Sequence, residues 1–544
     1  MITCGIQIHH GPSLCLIKDG EVVWYQEERK LANRKQISFI PYRCIDLLFS
    51  GEPINVDQFV VSGYNFYESE LGQIEAYLKY KNIVTPSSKI DSFFTEKTYG
   101  FFAPHHLAHA LKSYIDSGFK RARIFVVDSR GSDWYLSDKT ETFETCSVYH
   151  ADETGIKCIF KKVWSKEIKP KDVTIDFNYN PFLNKPWVPV YAPLTVDENT
   201  QVDISHKLDL GRIYSKISSH FNFNEEEGKF MGYQSYGKLD EKIYHLFKEG
   251  VTEEDVKKLP RTHDVAHTAQ IYFEDRYADL VEQFEYENMV FSGGTALNVC
   301  NNYKLTKKFK NSNLWFDPLC SDTGNSIGMA YAYLYYNKHE IKPLKNIYIA
   351  HTPDYKLSLQ STEKITTVKL SDVMQLLEKG EVVALFQGKS EAGPRALGNR
   401  SLLLDPTLPN GKDIMNAIKK REGFRPFACS ILEEKCDEWF EMGGVKKSPY
   451  MMYSFPAKTK AVTDAPAIIH VDNTCRVQTV SEDENKVLYN ILKDFKVPLI
   501  MNTSMNLAGD AINETLEDAL RTMRNSPLKY IYVADQNKLI EKIK

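Results

Sequence analysis

Two histidines, His105 and His109, stand four residues apart in FFAPHHLAHALKSYIDSG (101–118). At helical spacing both imidazoles fall on one face, where they can bind one metal ion. Pro104 and Gly118 mark the start and end of the helix that would carry them. HExxH helices use the same spacing, but their glutamate is absent, so a carboxylate must come from elsewhere in the chain. Two aspartates are candidates. Asp128 follows the buried-strand pattern 124–127 in RARIFVVDSRGSDW, and the C-terminal end of such a strand opens into the crevice where α/β sheets bind ligands. It could equally cap its own turn. Asp322 stands ahead of Thr323-Gly324 and a helix of small residues.

A second chemistry is carried by arginines and lysines set among glycines. In SEAGPRALGNRSLLLDP (390–406), Arg395 and Arg400 flank Gly398, with Gly393 just upstream. Guanidinium groups bind phosphate through paired planar hydrogen bonds, and glycine lets backbone N–H groups approach the same oxygens. One such loop could be a plain surface turn. Three more follow: IKKREGFRPFACSIL with Lys419, Arg421 and Arg425, HVDNTCRVQTV with His470 and Arg476, and PLIMNTSMNLAGD with Asn502, Thr503 and Ser504. Several cationic loops in one short domain describe a pocket for more than one phosphate.

The elements that must position these groups read as alternating strands and helices. The chain opens with a short apolar run, the turn His9-His10-Gly11, and two strands joined at Asp19-Gly20, a strong hairpin signal. NMVFSGGTALNVCNNYKL gives strand, double glycine and helix, an arrangement that can approach a nucleotide. Gly131, Gly293, Gly294, Asn298 and Gly324 are therefore the candidate nucleotide contacts of this half. From 155 to 191 the chain is lysine-rich and aromatic, with six lysines between 157 and 171 around Phe160 and Trp164. That mixture suits a nucleic-acid backbone groove with stacking platforms, although Glu167, Asp172 and Asp176 favour a solvated sheet edge. The stretch 342–364 reads as a linker, beyond which a new α/β unit begins.

With 544 residues the chain should divide into two or three domains. A net charge of -4 gives no global field for nucleic acid. No apolar stretch approaches a membrane span, and ten scattered cysteines without a CxxC pair fit reduced thiols, so a cytoplasmic protein is expected.

The blocks EAGPRALGNRS, KKREGFRPFACS, HVDNTCRVQTV and MNTSMNLAG, with HHLAH, EGKFMGYQSYG, SGGTALN and DTGNSIG, resemble the O-carbamoyltransferases of the nodulation and antibiotic-tailoring type, in order and over almost the whole chain. The resemblance implies an α/β fold in which residues 1–345 form a duplicated actin/sugar-kinase-like (RNase H-like) carbamoyl-transfer domain and 346–544 a YrdC-like domain. The second domain would join carbamoyl phosphate to ATP, giving carbamoyl-adenylate and pyrophosphate. The first would transfer the carbamoyl group to an alcohol, either of a small natural product or of a hydroxymethylated pyrimidine such as 5-hydroxymethylcytosine in DNA or RNA.

The same resemblance distributes roles. Arg395, Lys419, Arg425, His470, Arg476, Asn502 and Ser504 would bind carbamoyl phosphate and Mg(2+)-ATP, with Arg395 and Lys419 catalytic. His105, His109, Asp128 and Asp322 would hold a divalent metal, with Fe(2+) the expected ion. His10 would be the general base for the hydroxyl. One departure falls beside it, since the family pairs that histidine with aspartate and this chain has Gly11. Two other functions fit parts of the chain: an actin-like sugar kinase, and a nucleotide-binding module of a tRNA threonylcarbamoylation assembly.

Overall fold

Asp19 and Gly20 both adopt positive φ, 48° and 79°, and form the two-residue turn that Asp-Gly favours between antiparallel strands. This turn joins β2 (Ser13–Lys18) to β3 (Glu21–Glu27), and β1 (Ile2–Gln7) pairs with the other edge of β2. β4 (Gln58–Ser62) then returns parallel to β1, giving the order β3-β2-β1-β4. The computed structural model describes residues 1–35, 40–50, 54–62, 73–74, 76–78, 80–81, 104–169, 173–175, 196, 199–350 and 355–543.

The second sheet repeats this plan. Its strands are β5 (Ala122–Val127), β6 (Asp133–Tyr135), β7 (Glu141–Asp152), β8 (Gly155–Trp164), β9 (Gln201–Ser205), β10 (Asn288–Ser292) and β11 (Asn313–Phe316). β5, β7 and β8 are successive antiparallel neighbours, and β10 returns parallel to β5, in the order β11-β10-β5-β7-β8-β9. Three antiparallel strands with a fourth parallel to the first, occurring twice, is the duplicated RNase H-like architecture of the actin and sugar-kinase folds.

Helices α1 (His105–Ser117) and α6 (Asn325–Tyr336) cover one face of the second sheet, where Leu107, Leu111, Ile124, Val126 and Met329 form a core. Helices α2 (Leu210–His220) and α4 (His263–Gln283) cover the other face, over Phe125, Val127, Phe273 and Phe291. Helices α3 (Glu227–Tyr233) and α5 (Val299–Lys308) lie toward the C-terminal half. Among the described residues no helix is long and apolar enough to cross a membrane.

Phe160–Trp164 of β8 lies between β7 and β9, so Lys161 and Lys162 do not line the solvated edge expected of them, while Lys157, outside the part paired with β9, is exposed. Lys161 is fully buried against Glu144, and Lys162 pairs with Asp203 at 3.1 Å and Asp209 at 2.7 Å. Residues 170–172 and 176–191 of that segment lie outside the described residues.

The C-terminal sheet is mixed. It comprises β12 (Glu363–Thr367), β13 (Val383–Phe386), β14 (Arg400–Leu404), β15 (Ala428–Leu432), β16 (Ser454–Pro456), β17 (Thr474–Val480), β18 (Leu499–Ser504), β19 (Tyr530–Val533) and β20 (Lys538–Lys542), in the order β12-β20-β19-β13-β14-β18-β15-β17-β16. The expected linker is a packed seam: the Ile347 carbonyl accepts from Ala392 N at 2.7 Å and the Tyr348 hydroxyl donates to Leu397 O at 3.0 Å.

The loop between β13 and β14 corrects the reading of its two arginines as a matched pair. Arg400 is wholly buried, donates to the carbonyls of Gln387, Gly388, Asn399 and Glu514, and stacks 3.8 Å over the Phe386 ring. Four of its five N–H donors are spent on these carbonyls. Nor are the glycine N–H groups free for a phosphate: Gly393 donates to Glu27 Oε1 at 2.6 Å and Gly398 to Ser401 Oγ at 2.9 Å. Glu391, buried within the loop, accepts from Leu397 N and Asn399 N at 2.7 and 2.8 Å. Arg400→Leu should therefore cost about 3 kcal/mol of unfolding free energy, because four buried carbonyls lose a charged donor. Urea denaturation checks this, and a loss below about 0.5 kcal/mol would contradict the structural assignment of Arg400.

Candidate metal and anion sites

Helix α1 begins at His105 behind Pro104, which has no side chain to cap it. The cap comes from the sheet below: Ser132 Oγ accepts from His105 N at 2.8 Å, and Glu144 Oε1 accepts from His106 N at 3.1 Å. A carboxylate at a helix N-terminus also complements the helix dipole. Glu144 is buried, and although burial alone would raise its pKa, His106 and the paired Lys161 hold it down at about 2. The helix that carries the histidine pair thus starts on a buried ion pair in β7 and β8.

One turn further on, the two imidazoles converge. Their Nε2 atoms are 3.1 Å apart, and Asp322 Oδ1 lies 3.3 Å from that of His105 and 3.5 Å from that of His109. Asp128 Oδ2 lies 3.8 and 3.7 Å from the same nitrogens. One donor atom from each of the four residues falls within 4.8 Å of the others. Two imidazole nitrogens and two carboxylate oxygens fit a divalent transition metal of intermediate softness. The cluster fits an ion on a second ground: two buried Nε2 atoms face each other, so an ion between them would replace an imidazole–imidazole contact by two ligand bonds. Asn325 Nδ2 sits 3.2 Å from both His105 Nδ1 and His109 Nε2, bracing both rings from the start of α6. Burial opposes charge on His105, but Asp322 and Asp128 outweigh it and raise the group to about 10.

Asp322 serves a second neighbour. Its Oδ2 lies 3.2 Å from His10 Nδ1, and Glu225 Oε2 lies 3.7 Å from His10 Nε2. Hydrogen bonding to Asp322 first, then to Glu225, pushes His10 up to about 11. Gly11 follows with φ 62°, and a Cβ there would fall 3.0 Å from Thr323 N. The turn leaves no room for a side chain beside His10, and Asp322 and Glu225 supply the carboxylates from across the fold.

The glycine turns are distributed less evenly than their spacing implies. Gly293 takes φ 83° and lies so close to Val127 O that a Cβ would stand 2.3 Å from it, while Gly294 N donates to Asp128 Oδ2 at 3.2 Å. Asp128 therefore joins the metal cluster to the double-glycine turn. Gly131 and Asn298 have other tasks. A Cβ on Gly131 would meet Glu144 and the His106 ring, and Asn298 caps α5 at 3.1 Å while pairing with Gln270. Gly324 lies in the turn after Asp322, packed against Leu319 O.

In the C-terminal half, α7 (Gly411–Lys419) delivers Lys419 to the end of β18, where it donates to Ser504 O, Ser504 Oγ (3.1 Å) and Asn506 Oδ1. Burial, then Arg421, Arg425 and Lys35, push Lys419 well below the usual lysine range. Burial and the neighbouring Arg395 and Arg421 act on Arg476 in the same direction. Among the described residues no carboxylate pairs with Arg395, Arg421 or Arg476, and the Nε atoms of Arg395 and Arg476 have no hydrogen-bond partner. Arginine does not readily give up its proton, so a bound anion is what relieves this crowding. Arg425 reaches Glu422 at 3.7 Å. His470 holds Gly232 O at 3.1 Å, linking the two halves. Asn502, expected to contact a ligand, instead donates inside the sheet to Ser430 Oγ at 2.8 Å and Gln478 Oε1 at 3.2 Å.

The structure thus brings His10, His105, His109, Asp128, Asp322 and Gly294 into one cluster. Lys419, Arg425, Arg476 and Ser504 belong to another, with Arg395 between them. The residue types and spacing missed Glu144, Glu225 and Asn325. Asn325 directly follows the DTG turn, the one signal that was available; Glu144 and Glu225 act across long stretches of chain and leave none.

The family model described as carbamoyltransferase N-terminus matches residues 2–257 and 242–331, and that described as carbamoyltransferase C-terminus matches 374–542. An uncharacterized protein of Methanocaldococcus jannaschii is 31% identical over 57% of this chain and 59% of its own length. Nodulation protein U of Rhizobium tropici is 24% identical over 94% of this chain and 91% of its own. Among solved structures, the activator of the 2-hydroxyisocaproyl-CoA dehydratase from Clostridium difficile aligns with 63% of this chain and all of its own at 12% identity and a TM-score of 0.31.

If the quartet is a metal site, His109→Ala should abolish stoichiometric retention of Co(II) after dialysis. Asn325→Ala, which removes the amide that contacts His105 Nδ1 and His109 Nε2, should weaken retention by about 10- to 100-fold. Metal analysis of the dialysed proteins measures both, and full retention in His109→Ala would exclude the site.

Proposed function

The chain belongs to the carbamoyltransferase family, and from that premise we propose that it builds carbamoyl-adenylate in its C-terminal half and passes the carbamoyl group to an alcohol in its N-terminal half. The observation that carries this reading is the buried Lys419 with partly buried arginines around it, of which Arg395, Arg421 and Arg476 have no carboxylate partner among the described residues, beside a separate His/Asp cluster with its own histidine. Carbamoyl phosphate and ATP are polyanions, and Lys419, Arg421, Arg425 and Arg476 offer the charge to hold both.

Atom balance fixes the order of events. Carbamoyl phosphate yields its phosphate to water, and the carbamate oxygen attacks the α-phosphorus of ATP as pyrophosphate leaves. In the N-terminal half the acceptor oxygen bonds to the carbamoyl carbon, the bond to the AMP oxygen breaks, and the hydroxyl proton passes to His10. His105, His109, Asp128 and Asp322 would hold a divalent cation, Fe(2+) or another of similar preference. When bound, that cation supplies charge to grip the phosphate and polarise the mixed anhydride. A cation held by Asp322 would weaken the pull that keeps His10 protonated, and His10 would then serve as the base.

The acceptor we favour is a small-molecule alcohol. Glu225 stands beside the base, where a polyanionic strand would be repelled, and Lys161, Lys162 and Lys169 are each ion-paired rather than aligned along a groove. A hydroxymethylated nucleobase would need its phosphates to avoid that carboxylate.

Purified protein given carbamoyl phosphate, ATP and a divalent metal should release pyrophosphate and form carbamoyl-adenylate, detectable by mass spectrometry. Lys419→Met should lower pyrophosphate release by about 100-fold. Absence of pyrophosphate from the wild-type protein would overturn the reading, and transfer of γ-phosphate to a sugar would replace it with a kinase.

A further inference from the structure

Arg395 belongs by sequence to the C-terminal half, yet its loop is fastened to the N-terminal one. Gly393 N donates to Glu27 Oε1 at 2.6 Å, and the Lys30 ammonium donates to Glu391 O. A Cβ on Gly393 would stand 2.9 Å from Leu319 Cδ2, so the loop backbone presses against the turn that leads to Asp322. At the tip of this loop, Arg395 Nη2 donates to Leu297 O at 3.3 Å. Leu297 closes the short turn Gly294–Leu297, whose first N–H is held by Asp128. Arg395 is largely buried, and the thiol that most affects it is that of Cys320, two residues before Asp322. Its Nε is without a partner, and no carboxylate among the described residues pairs with it.

A partly buried guanidinium that has spent one donor on a carbonyl and has no counter-ion is costly unless an anion completes it. Arg400, five residues on, shows the alternative in the same loop: four of its five N–H donors are taken by backbone carbonyls. We propose that Arg395 is a phosphate receptor of the N-terminal site, reaching across the domain seam to the AMP phosphate of carbamoyl-adenylate while the carbamoyl group is transferred. The proposal rests on the two-step function given above. As the carbamoyl carbon bonds to the acceptor oxygen, the electron pair of the broken bond passes to the AMP phosphate oxygen. A planar guanidinium at that oxygen stabilises the charge as it forms. The seam then has a chemical purpose, since the N-terminal site is complete only when the C-terminal loop is docked on it.

The two halves of the reaction can be read separately, with AMP binding by calorimetry reporting the N-terminal site and single-turnover pyrophosphate release reporting the C-terminal one. Arg395→Gln should weaken AMP binding by about 10-fold or more and lower pyrophosphate release by much less, whereas Lys419→Met should show the reverse order. Added guanidinium ion should restore part of the AMP-dependent step in Arg395→Gly, which a purely structural role would not allow. Unchanged AMP affinity in Arg395→Gln, or a collapse of pyrophosphate release equal to that of Lys419→Met, would overturn the proposal. If the wild-type protein releases no pyrophosphate, the two-step function fails, and the AMP measurement still decides whether Arg395 receives phosphate in the N-terminal site.

Discussion

One buried carboxylate, Asp322, is the point through which the rest of the N-terminal site is tied. Its Oδ1 faces both imidazoles of α1, at 3.3 and 3.5 Å, and its Oδ2 faces His10 at 3.2 Å. Burial opposes its charge, but His105 and His10 hold it well below the usual carboxylate range. A single residue therefore sets the protonation of His10 and the charge of the His105–His109–Asp128 cluster together. The turn around Gly11 is drawn tight against Thr323, so the hairpin of the first sheet cannot drift from the helix of the second.

The duplicated sheets explain why these groups meet. β5 and β10 run parallel, so Asp128 and Gly293 emerge at the same edge, and α1 and α6 lie side by side across the same face. What holds α1 at the correct height is the Glu144–Lys161 pair in the strands beneath it. Buried charges are expensive, and this pair is tolerated because each partner is satisfied: Glu144 accepts from two backbone N–H groups, Trp134 and Lys161. The C-terminal half shows the opposite situation, where Arg395, Arg421 and Arg476 crowd together without carboxylates. The first arrangement is architecture, and the second is a demand for a ligand.

Local rules made a good part of this legible. Asp-Gly fixed the first hairpin, the four-residue spacing placed both histidines on one helix face, and the turn before Thr323-Gly324 marked Asp322 as the partner they lacked. Sequence could not separate Arg395 from Arg400, because both are arginines after a glycine or proline turn. The difference lies in which carbonyls the fold brings within reach. It also could not show that Gly393 spends its N–H on Glu27, more than three hundred residues away, or that β8 is an interior strand. Glu225 is one acid in a run of three, and only a positive φ of 52° turns it toward His10. Such information is long-range, and residue type and spacing do not carry it.

The central claim is that the same carboxylate binds a metal and governs the base, and anomalous scattering from crystals loaded with Mn(II) or Fe(II) tests it most directly. The account predicts one peak, with His105, His109 and Asp322 at about 2.0–2.3 Å and His10 within hydrogen-bonding reach of the other Asp322 oxygen. A peak elsewhere, or none at full loading, would contradict it.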